Sequence, residues 1–165
     1  MRNILIIGAG KSSSYLIKYF LDKAKVEDLH ITIGDINIKN ARKLIGDHNH
    51  ANAIQLDVFD KESRSSAIKV ADIVVSMLPA RFHIEVAKDC VTYSTHMVTA
   101  SYVSPEMQAL DASAKNKGLV FMNEIGVDPG IDHMSAMQVL DQIRAKGGEI
   151  ILFESFTGGL VAPES

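Results

Sequence analysis

Short apolar segments of strand length alternate with amphipathic segments of helix length along most of the chain. The apolar segments are continuous runs, such as NILII at residues 3–7, and such runs are typical of strands buried on both faces of a parallel sheet. The pattern predicts six strands, which are 3–7, 29–34, 53–56, 72–78, 96–100 and 119–123. The helices predicted between them are 12–25, 37–45, 61–70, 82–92 and one capped by Ser104 with Pro105 at its first position. This alternation predicts an α/β fold with a Rossmann-type doubly wound parallel sheet.

The pattern changes after the sixth predicted strand. A longer helix is predicted at about 130–145, and a further apolar segment at 149–156 is predicted to be a strand. Because the doubly wound sheet is complete with its sixth strand, we expect residues 1–125 to form one domain. We expect residues 126–165 to be the truncated start of a second α/β domain, and the chain to be part of a longer protein.

Composition and charge exclude several classes of protein. The 165 residues are 47% hydrophobic and carry a net charge of only −3, which excludes an intrinsically disordered chain. With 17 basic and 20 acidic residues and no block of like charge, we expect no nucleic-acid partner. Cys90 is the only cysteine, which excludes a disulfide scaffold and a cysteine-based zinc site.

The sequence also bears on location and on metals. No apolar run approaches the roughly 20 residues that a membrane helix needs. The segment MRNILIIG shows no signal-peptide pattern, so we expect no signal peptide. We therefore expect a cytoplasmic protein with no membrane partner. The histidines and carboxylates show no metal-ligand spacing, so we expect no metal site.

A glycine-rich turn follows the first predicted strand and opens the first helix. Gly8 permits the tight turn, and Gly10 lets the backbone approach a pyrophosphate, which the helix N-terminus with Lys11 and Ser12 then holds. Ser13 fills the third position, where a small residue allows the helix to pack on the strand. In this strand–turn–helix context the pattern predicts dinucleotide binding, although the same turn also occurs without a ligand.

An acidic residue ends the second predicted strand. Asp35 lies 27 positions after Gly8. A carboxylate at this position accepts hydrogen bonds from the adenosine ribose and repels a 2′-phosphate. We expect Ile36, the next residue, to contact the cofactor as well. Asp35 therefore favours NAD over NADP, with NADP still possible because Arg42 and Lys43 lie on the next helix. The alternative is that Asp35 caps that helix.

Polar segments fall at the carboxyl ends of the other predicted strands, where ligands of open α/β sheets bind. They are Asp57-Val58, Ser76 to Pro79, Ser101-Tyr102 and Glu124 to Asp128. We expect Asp57 and Val58 at the adenine, and Ser76, Leu78 and Pro79 along the rest of the cofactor.

Four side chains near this edge are candidates for contact with the substrate or for proton transfer. Ser101 can bind a substrate or the nicotinamide ribose, or it can cap its loop. Asp128 can bind an ammonium group or relay a proton, or it can cap a helix that begins at Pro129. His83 and His133 are candidate proton-transfer groups.

Two segments resemble the saccharopine dehydrogenase family of the L-glutamate-forming type. They are Thr99 to Pro105, with Ser-Tyr-Val-Ser-Pro, and Asn123 to His133, with Asn-Glu-x-Gly-x-Asp-Pro-Gly-Ile-Asp-His. The segment from Ser76 to His83 is similar to the family's fourth-strand turn. The resemblance covers essentially the whole chain, which corresponds to the first part of the family's usual length.

The resemblance implies NAD(P)-dependent oxidation of the secondary amine of saccharopine to an imine in lysine metabolism. Water then hydrolyses the imine to L-glutamate and 2-aminoadipate 6-semialdehyde, or the reaction runs in reverse. It also implies a Rossmann domain followed by a substrate-binding domain that forms a homodimer. NADP-using fungal members place a basic residue near the position of Asp35, so this chain departs from them there.

The resemblance also assigns roles to residues. Ser101 and Asp128 match positions that contact saccharopine, and the loop from Gly8 to Ser13 matches the pyrophosphate loop. We take Tyr102 with Ser101 as substrate-binding, and Asp128 and His133 as candidate catalytic bases. Saccharopine carries three carboxylates that need Arg or Lys partners. Only Arg81 is an obvious candidate among the edge segments, so we expect the principal cations beyond Ser165.

Two alternatives stay open at this point. A related amine dehydrogenase would act on lysine or on carboxynorspermidine. A nucleotide-sensing Rossmann module would bind the dinucleotide without catalysis, although a sensor has no need for the Asp-Pro-Gly-Ile-Asp-His segment at 128–133.

Overall fold

The computed structural model describes residues 1–156 and 158, and six strands in it form one fully parallel sheet. The strand order is β3-β2-β1-β4-β5-β6. The strands are β1 (Arg2–Ile7), β2 (Leu29–Asp35), β3 (Ala51–Gln55), β4 (Ile73–Ser76), β5 (His96–Thr99) and β6 (Phe121–Met122). The chain starts at the centre, runs outward to β3 and crosses back to β4. This order confirms the predicted doubly wound sheet.

The helices alternate with the strands as the pattern predicts. They are α1 (Ser14–Ala24), α2 (Ile38–Ile45), α3 (Lys61–Lys69), α4 (His83–Tyr93), α5 (Pro105–Gln108), α6 (Asp111–Asn116) and α7 (Ile131–Ala145). Short 3₁₀ turns at Lys11–Ser13 and Ala80–Phe82 precede α1 and α4, so both helices begin slightly later than predicted. The one helix predicted after Ser104 is two short helices.

Side-chain caps begin three of the helices. The side chains of Asn37, Asp60 and Ser104 accept hydrogen bonds from backbone N–H groups of the first turns of α2, α3 and α5. The prediction of a Ser104 cap with Pro105 at the first position is therefore confirmed. The alternative that Asp35 caps α2 is wrong, because Asn37 has that role.

The sheet separates two hydrophobic clusters because alternate residues of each strand point to opposite faces. Ile4 and Ile6 of β1 pack with Ile17 of α1 on one face. Leu5 and Ile7 pack with residues of α3 and α4 on the other. Both faces of β1 are thus buried, which explains why its sequence is a continuous apolar run.

Several predicted strands have other bounds in the structure, and one is absent. The third was expected over 53–56 and is Ala51–Gln55, and the fourth was expected over 72–78 and is Ile73–Ser76. The sixth strand was expected over 119–123 and comprises only Phe121–Met122. The strand expected over 149–156 is absent from the described residues, so that prediction is wrong here. An apolar segment becomes a strand only when a neighbour pairs with its backbone groups, and no described segment pairs with this one. Ile151 and Phe156 are 92% and 89% exposed.

The chain forms two compact units, Met1–Ile131 and Asp132–Ser165. The first holds the sheet and its helices. The second holds most of α7, which contains no buried residue among those described. Residues 157 and 159–165, which belong to the expected second domain, lie outside the described residues. No described helix has the length and hydrophobicity needed to cross a membrane.

Candidate active site

The glycine turn after β1 passes directly over the end of β4. Gly8 has a φ of +108°, and a Cβ at this position would lie 2.9 Å from the backbone oxygen of Met77. A side chain would therefore meet both an unfavourable conformation and a steric clash. A Cβ at Gly10 would meet no atom within 4 Å, so space is open above the turn. This is the arrangement that a pyrophosphate-binding turn requires.

The residues after Gly10 lead into α1. Ser13 is fully buried, and its hydroxyl donates a 2.9 Å hydrogen bond to the backbone oxygen of Gly10. It thus fits the expected small position between helix and strand. Lys11 and Ser12 form the exposed start of the 3₁₀ turn. The unpaired N–H groups at the start of a helix attract an anion.

The Asp35 carboxylate lies beside the same turn. Its Oδ2 accepts a 2.7 Å hydrogen bond from the backbone N–H of Ala9. Its Oδ1 accepts bonds from the backbone N–H of Asn37 at 2.8 Å and from the Asn40 side chain at 3.4 Å. These bonds fix the carboxylate at the position predicted for ribose recognition, and they also tie the carboxyl end of β2 to the glycine turn.

A cleft of about 290 Å³ opens between Gly8 and the ends of β2, β3 and β4. Its walls are mostly apolar, and they include most of the cofactor residues predicted from the sequence. Those that line it are Gly8, Asp35, Ile36, Asp57, Val58, Leu78 and Pro79. Apolar walls with two hydrogen-bonded carboxylates, those of Asp35 and Asp57, suit an adenosine moiety, so the residues present fit the expected dinucleotide.

Two aromatic rings at this cleft were not predicted. Phe59 and Phe82 also line it, and their rings meet edge to face with centroids 5.0 Å apart. Phe59 directly follows Asp57-Val58, so its place next to the polar segment was the only sequence signal. The Asp57 side chain accepts a 2.9 Å hydrogen bond from the N–H of Phe59, which shapes this loop.

A buried ion pair is bonded to the loop of Asp57, Val58 and Phe59. Arg64 of α3 donates from Nε to Asp89 of α4 at 2.7 Å, and its Nη1 donates to the backbone oxygen of Val58. Both charged side chains are at least nine-tenths buried. The Arg64 guanidinium also lies 3.8 Å from the Glu85 carboxylate, so it keeps an acidic neighbour without Asp89. Removal of Arg64 would instead leave the buried Asp89 charge without its cation, which is strongly destabilising.

A second cleft, at the end of β5, brings together the predicted substrate residues. Ser101, Tyr102 and Asp128 line it, with Ala80 and Pro129 among their neighbours. The Tyr102 hydroxyl donates a 2.9 Å hydrogen bond to Oδ1 of Asp128. The alternative that Asp128 caps a helix starting at Pro129 is wrong, because α7 begins at Ile131.

The loop that carries Asp128 is closed by its own backbone hydrogen bonds and is bonded to the segment that follows β5. The backbone N–H of Gly126 donates to the oxygen of Pro129 at 2.8 Å, and that of Ile131 donates to the oxygen of Gly126 at 3.0 Å. The Glu124 side chain accepts a 3.0 Å bond from the N–H of Val103. These bonds hold the Asp128 segment against the segment of Ser101.

His83, the first residue of α4, connects the ends of β4 and β5. Its Nδ1 lies 2.8 Å from the Ser76 hydroxyl, and its Nε2 lies 2.8 Å from the Ser101 hydroxyl and 3.1 Å from that of Thr99. The side chain is 4% exposed, and burial lowers the pKa of His83. Thr99 was not predicted as a site residue. Its sequence signal was its position at the carboxyl end of the predicted fifth strand, two residues before Ser101.

Arg81 and His133 were also predicted as site residues. The Arg81 guanidinium stacks over the Phe82 ring at 4.6 Å and does not line the cleft of Ser101. His133 belongs to the second unit, where its Nδ1 pairs with Asp132 at 2.8 Å. Within the part of the chain that the structure describes, no group of three His, Cys, Asp or Glu side chains could hold a metal.

Comparison with known proteins decides the family. The model of the saccharopine dehydrogenase NADP-binding domain matches residues 4–122, and that of the saccharopine dehydrogenase C-terminal domain matches residues 126–165. The chain belongs to the saccharopine dehydrogenase family. The resemblance seen in the sequence is thereby confirmed. Membership also supports a nicotinamide dinucleotide, NAD(P), as the cofactor of the glycine turn.

Curated relatives and a solved structure agree with this assignment. Saccharopine dehydrogenase [NADP(+), L-glutamate-forming] of Pyricularia oryzae is 38% identical over 99% of this chain and 36% of its own length. The Saccharomyces cerevisiae enzyme of that name is 35% identical over 99% of this chain and 36% of its own length. Alpha-aminoadipic semialdehyde synthase of Arabidopsis thaliana is 35% identical over 97% of this chain and 17% of its own length. The chain therefore spans little more than a third of these relatives at most.

The solved structures show the same fold. The apo saccharopine dehydrogenase (L-Glu forming) of Saccharomyces cerevisiae superposes with a TM-score of 0.79 at 32% identity, covering 89% of this chain and 32% of that one. An NAD-binding oxidoreductase from Klebsiella pneumoniae has a TM-score of 0.61 at 18% identity, over 88% of this chain and 39% of its own. At 18% identity, the Klebsiella pneumoniae structure supports only the fold of this chain and not its function.

Proposed function

We propose that the full-length protein is an NAD(P)-dependent saccharopine dehydrogenase that forms L-glutamate and 2-aminoadipate 6-semialdehyde. The observation that carries the proposal is the placement of two clefts at one sheet edge. One lies at the glycine turn and Asp35, and the other holds Ser101, Tyr102 and Asp128. His83 hydrogen-bonds both Ser76 at the end of β4 and Ser101 of the second cleft. A dinucleotide and an amine substrate can therefore meet at this edge.

The chemistry divides between cofactor and protein. The bound nicotinamide supplies the hydride acceptor. The amine nitrogen must lose its proton as the C–N bond becomes an imine, and water then cleaves the imine. Since the aldehyde forms on the lysine-derived carbon, that carbon is the one that loses the hydride.

Asp128 is the proposed base within this chain. Its carboxylate lies in the substrate cleft and is oriented by the Tyr102 hydroxyl. A base must lie within hydrogen-bond reach of the proton it removes, and a carboxylate fixed in the cleft can meet that condition. The Ser101 hydroxyl is the proposed substrate contact beside it. His133 is the other candidate base.

We further infer that this protein prefers NAD over NADP, although the curated relatives named above carry NADP(+) in their names. The inference rests on Asp35, whose carboxylate is held by the Ala9 and Asn37 N–H groups and cannot easily turn away. A fixed negative charge at the ribose accepts bonds from its hydroxyls and repels a 2′-phosphate.

The reaction is tested by incubating the full-length protein with saccharopine and either NAD⁺ or NADP⁺. We expect reduced nicotinamide and L-glutamate to appear in equal amounts, with higher kcat/KM for NAD⁺. Lysine and carboxynorspermidine serve as competing substrates. Turnover of either in place of saccharopine would refute the proposed substrate, and higher kcat/KM with NADP⁺ would refute the cofactor preference.

The family resemblance also leads us to propose that the full-length protein forms a homodimer. Light scattering of the purified protein measures its mass directly. A mass of two chains is expected, and a monomer at catalytic concentrations would contradict the proposal.

A further inference from the structure

Three hydroxyl groups surround the imidazole of His83. Ser76 at the end of β4 faces Nδ1, whereas Ser101 and Thr99 at the end of β5 face Nε2. Ser76, His83 and Thr99 are each less than 5% exposed, so water cannot readily replace these bonds. Both ring nitrogens therefore bond within the protein.

This geometry bears on the expectation that His83 transfers a proton. A ring nitrogen that acts on a substrate must reach it, but both nitrogens of His83 already lie within 2.8 Å of protein hydroxyls. A neutral imidazole has one N–H donor and one acceptor, and hydroxyl groups can complement either tautomer. The ring is thus suited to orient hydroxyls.

Ser101 is the one member of the cluster that also lines the substrate cleft. Its hydroxyl can rotate freely unless a partner fixes it. The Nε2 atom of His83 is that partner, and the Thr99 hydroxyl supports the same segment by accepting a 3.4 Å bond from the Ser101 N–H.

We propose that His83 is a positioning residue that holds the Ser101 hydroxyl in its substrate-binding orientation through Nε2. The proposal rests on the proposed function, because it assumes that Ser101 contacts the substrate. It assigns to His83 no contact with the substrate itself. The bond to Ser76 is then the anchor that fixes the ring.

Two conservative variants of the full-length protein separate the two sides of the ring. The side-chain amide of asparagine extends about as far from the backbone as Nδ1 of histidine, and that of glutamine extends about as far as Nε2. His83→Asn therefore keeps the hydrogen bond to Ser76 and loses the one to Ser101, whereas His83→Gln can still bond Ser101. Both variants are neutral and polar, so each controls for the other.

We expect His83→Asn to lower kcat/KM for saccharopine about five- to tenfold, the size of one lost neutral hydrogen bond. His83→Gln should stay within about twofold of the wild type. The dissociation constant of the reduced dinucleotide should not change in His83→Asn, which keeps the hydrogen bond to Ser76. His30→Asn is the matched control, because His30 hydrogen-bonds Asn52 at the opposite end of the sheet.

A double-mutant cycle with Ser101→Ala completes the test. In the Ser101→Ala background, His83→Asn should have less than about a twofold further effect, since residues that act through one contact are not additive. Full multiplication of the two effects would overturn the proposal, as would equal losses in the Asn and Gln variants. A wild-type protein inactive on saccharopine would instead refute the proposed function, and this inference with it.

Discussion

The carboxylate of Asp35 accepts a 2.7 Å hydrogen bond from the backbone N–H of Ala9, between the two glycines of the cofactor turn. The residue proposed to read the adenosine ribose therefore also holds the turn proposed to bind the pyrophosphate. Asp35→Asn removes the negative charge of the side chain. Its one amide oxygen can still accept the bond from the Ala9 N–H, but its NH₂ group cannot accept the bond from the Asn37 N–H, so the variant also loses one hydrogen bond.

We expect Asp35→Asn to weaken NADH binding and to strengthen NADPH binding. Removing one like charge near the 2′-phosphate should shift the ratio of the two dissociation constants roughly tenfold, a Coulomb effect of about 1.4 kcal/mol. Isothermal titration calorimetry of the full-length protein measures both constants.

Asp72→Asn is the control for this shift. Asp72 also accepts a 2.7 Å bond from a backbone N–H, that of Asn3, but it lies at the amino-terminal edge of the sheet. Asp72→Asn should therefore leave the ratio of the NADH and NADPH dissociation constants unchanged. An unchanged ratio in Asp35→Asn itself would show that Asp35 does not set the cofactor preference.

The two glycines of the turn should respond differently to alanine. Gly8→Ala forces a Cβ to within 2.9 Å of the Met77 oxygen at a φ of +108°, so it should lower the melting temperature by several degrees and abolish dinucleotide binding. Gly10→Ala meets no atom within 4 Å, so it should keep the melting temperature but weaken dinucleotide binding. Thermal scans with and without NADH separate the effects. Unaltered NADH binding in Gly10→Ala would argue against a pyrophosphate at this turn.

Asp128→Ala should lower kcat for saccharopine about a hundredfold or more, the usual contribution of a general base, with little loss of dinucleotide affinity. Steady-state kinetics of the full-length protein measures the change. Asp111→Ala is the control, since Asp111 is an exposed acid that pairs with Lys115 on α6. Unchanged turnover in Asp128→Ala would reject its role and leave His133 as the candidate to test.

The thiol of Cys90 should be inert in the folded protein. Burial, with a further contribution from the Asp89 charge, raises the pKa of Cys90 to about 12, and the thiolate is the reactive form. Alkylation at pH 8 followed by peptide mapping should find Cys90 unlabelled until the protein is unfolded. Rapid labelling of the native protein would contradict its burial.

The same shift has a consequence for stability at high pH. Because the folded thiol stays protonated where the unfolded one ionises, its contribution to stability is fully present below about pH 9 and is lost as the pH rises towards 12. Urea unfolding of Cys90→Ala should show a weaker decline over this range than the wild type.

The sheet was predictable from the sequence because its signals are local. The runs of β1 and β2, the glycine turn and the Ser104 cap each lie within a few residues of what they specify. The strand expected over 149–156 failed because pairing depends on a neighbour that the segment does not encode. The helix start expected at Pro129 failed because the loop bonds of Gly126 define a later start.

The candidate site was predictable in part for the same reason. Asp35, Ser101 and Asp128 follow strand ends, and the sheet brings strand ends together. The partners of His83 were not predictable, because Ser76 and Ser101 lie 7 and 18 residues away, one at the end of β4 and the other just after β5. Only the packing of α4 against both strand ends joins them.

The most direct test of the proposed reaction follows the hydride itself. Saccharopine is labelled by replacing both hydrogens of the lysine-derived carbon next to the secondary amine with deuterium, and it is incubated with the full-length protein and NAD⁺. We predict that mass spectrometry finds one deuterium in the reduced nicotinamide and unlabelled L-glutamate in equal amount. No deuterium in the nicotinamide, with either NAD⁺ or NADP⁺, would contradict the assignment of this chain to saccharopine oxidation.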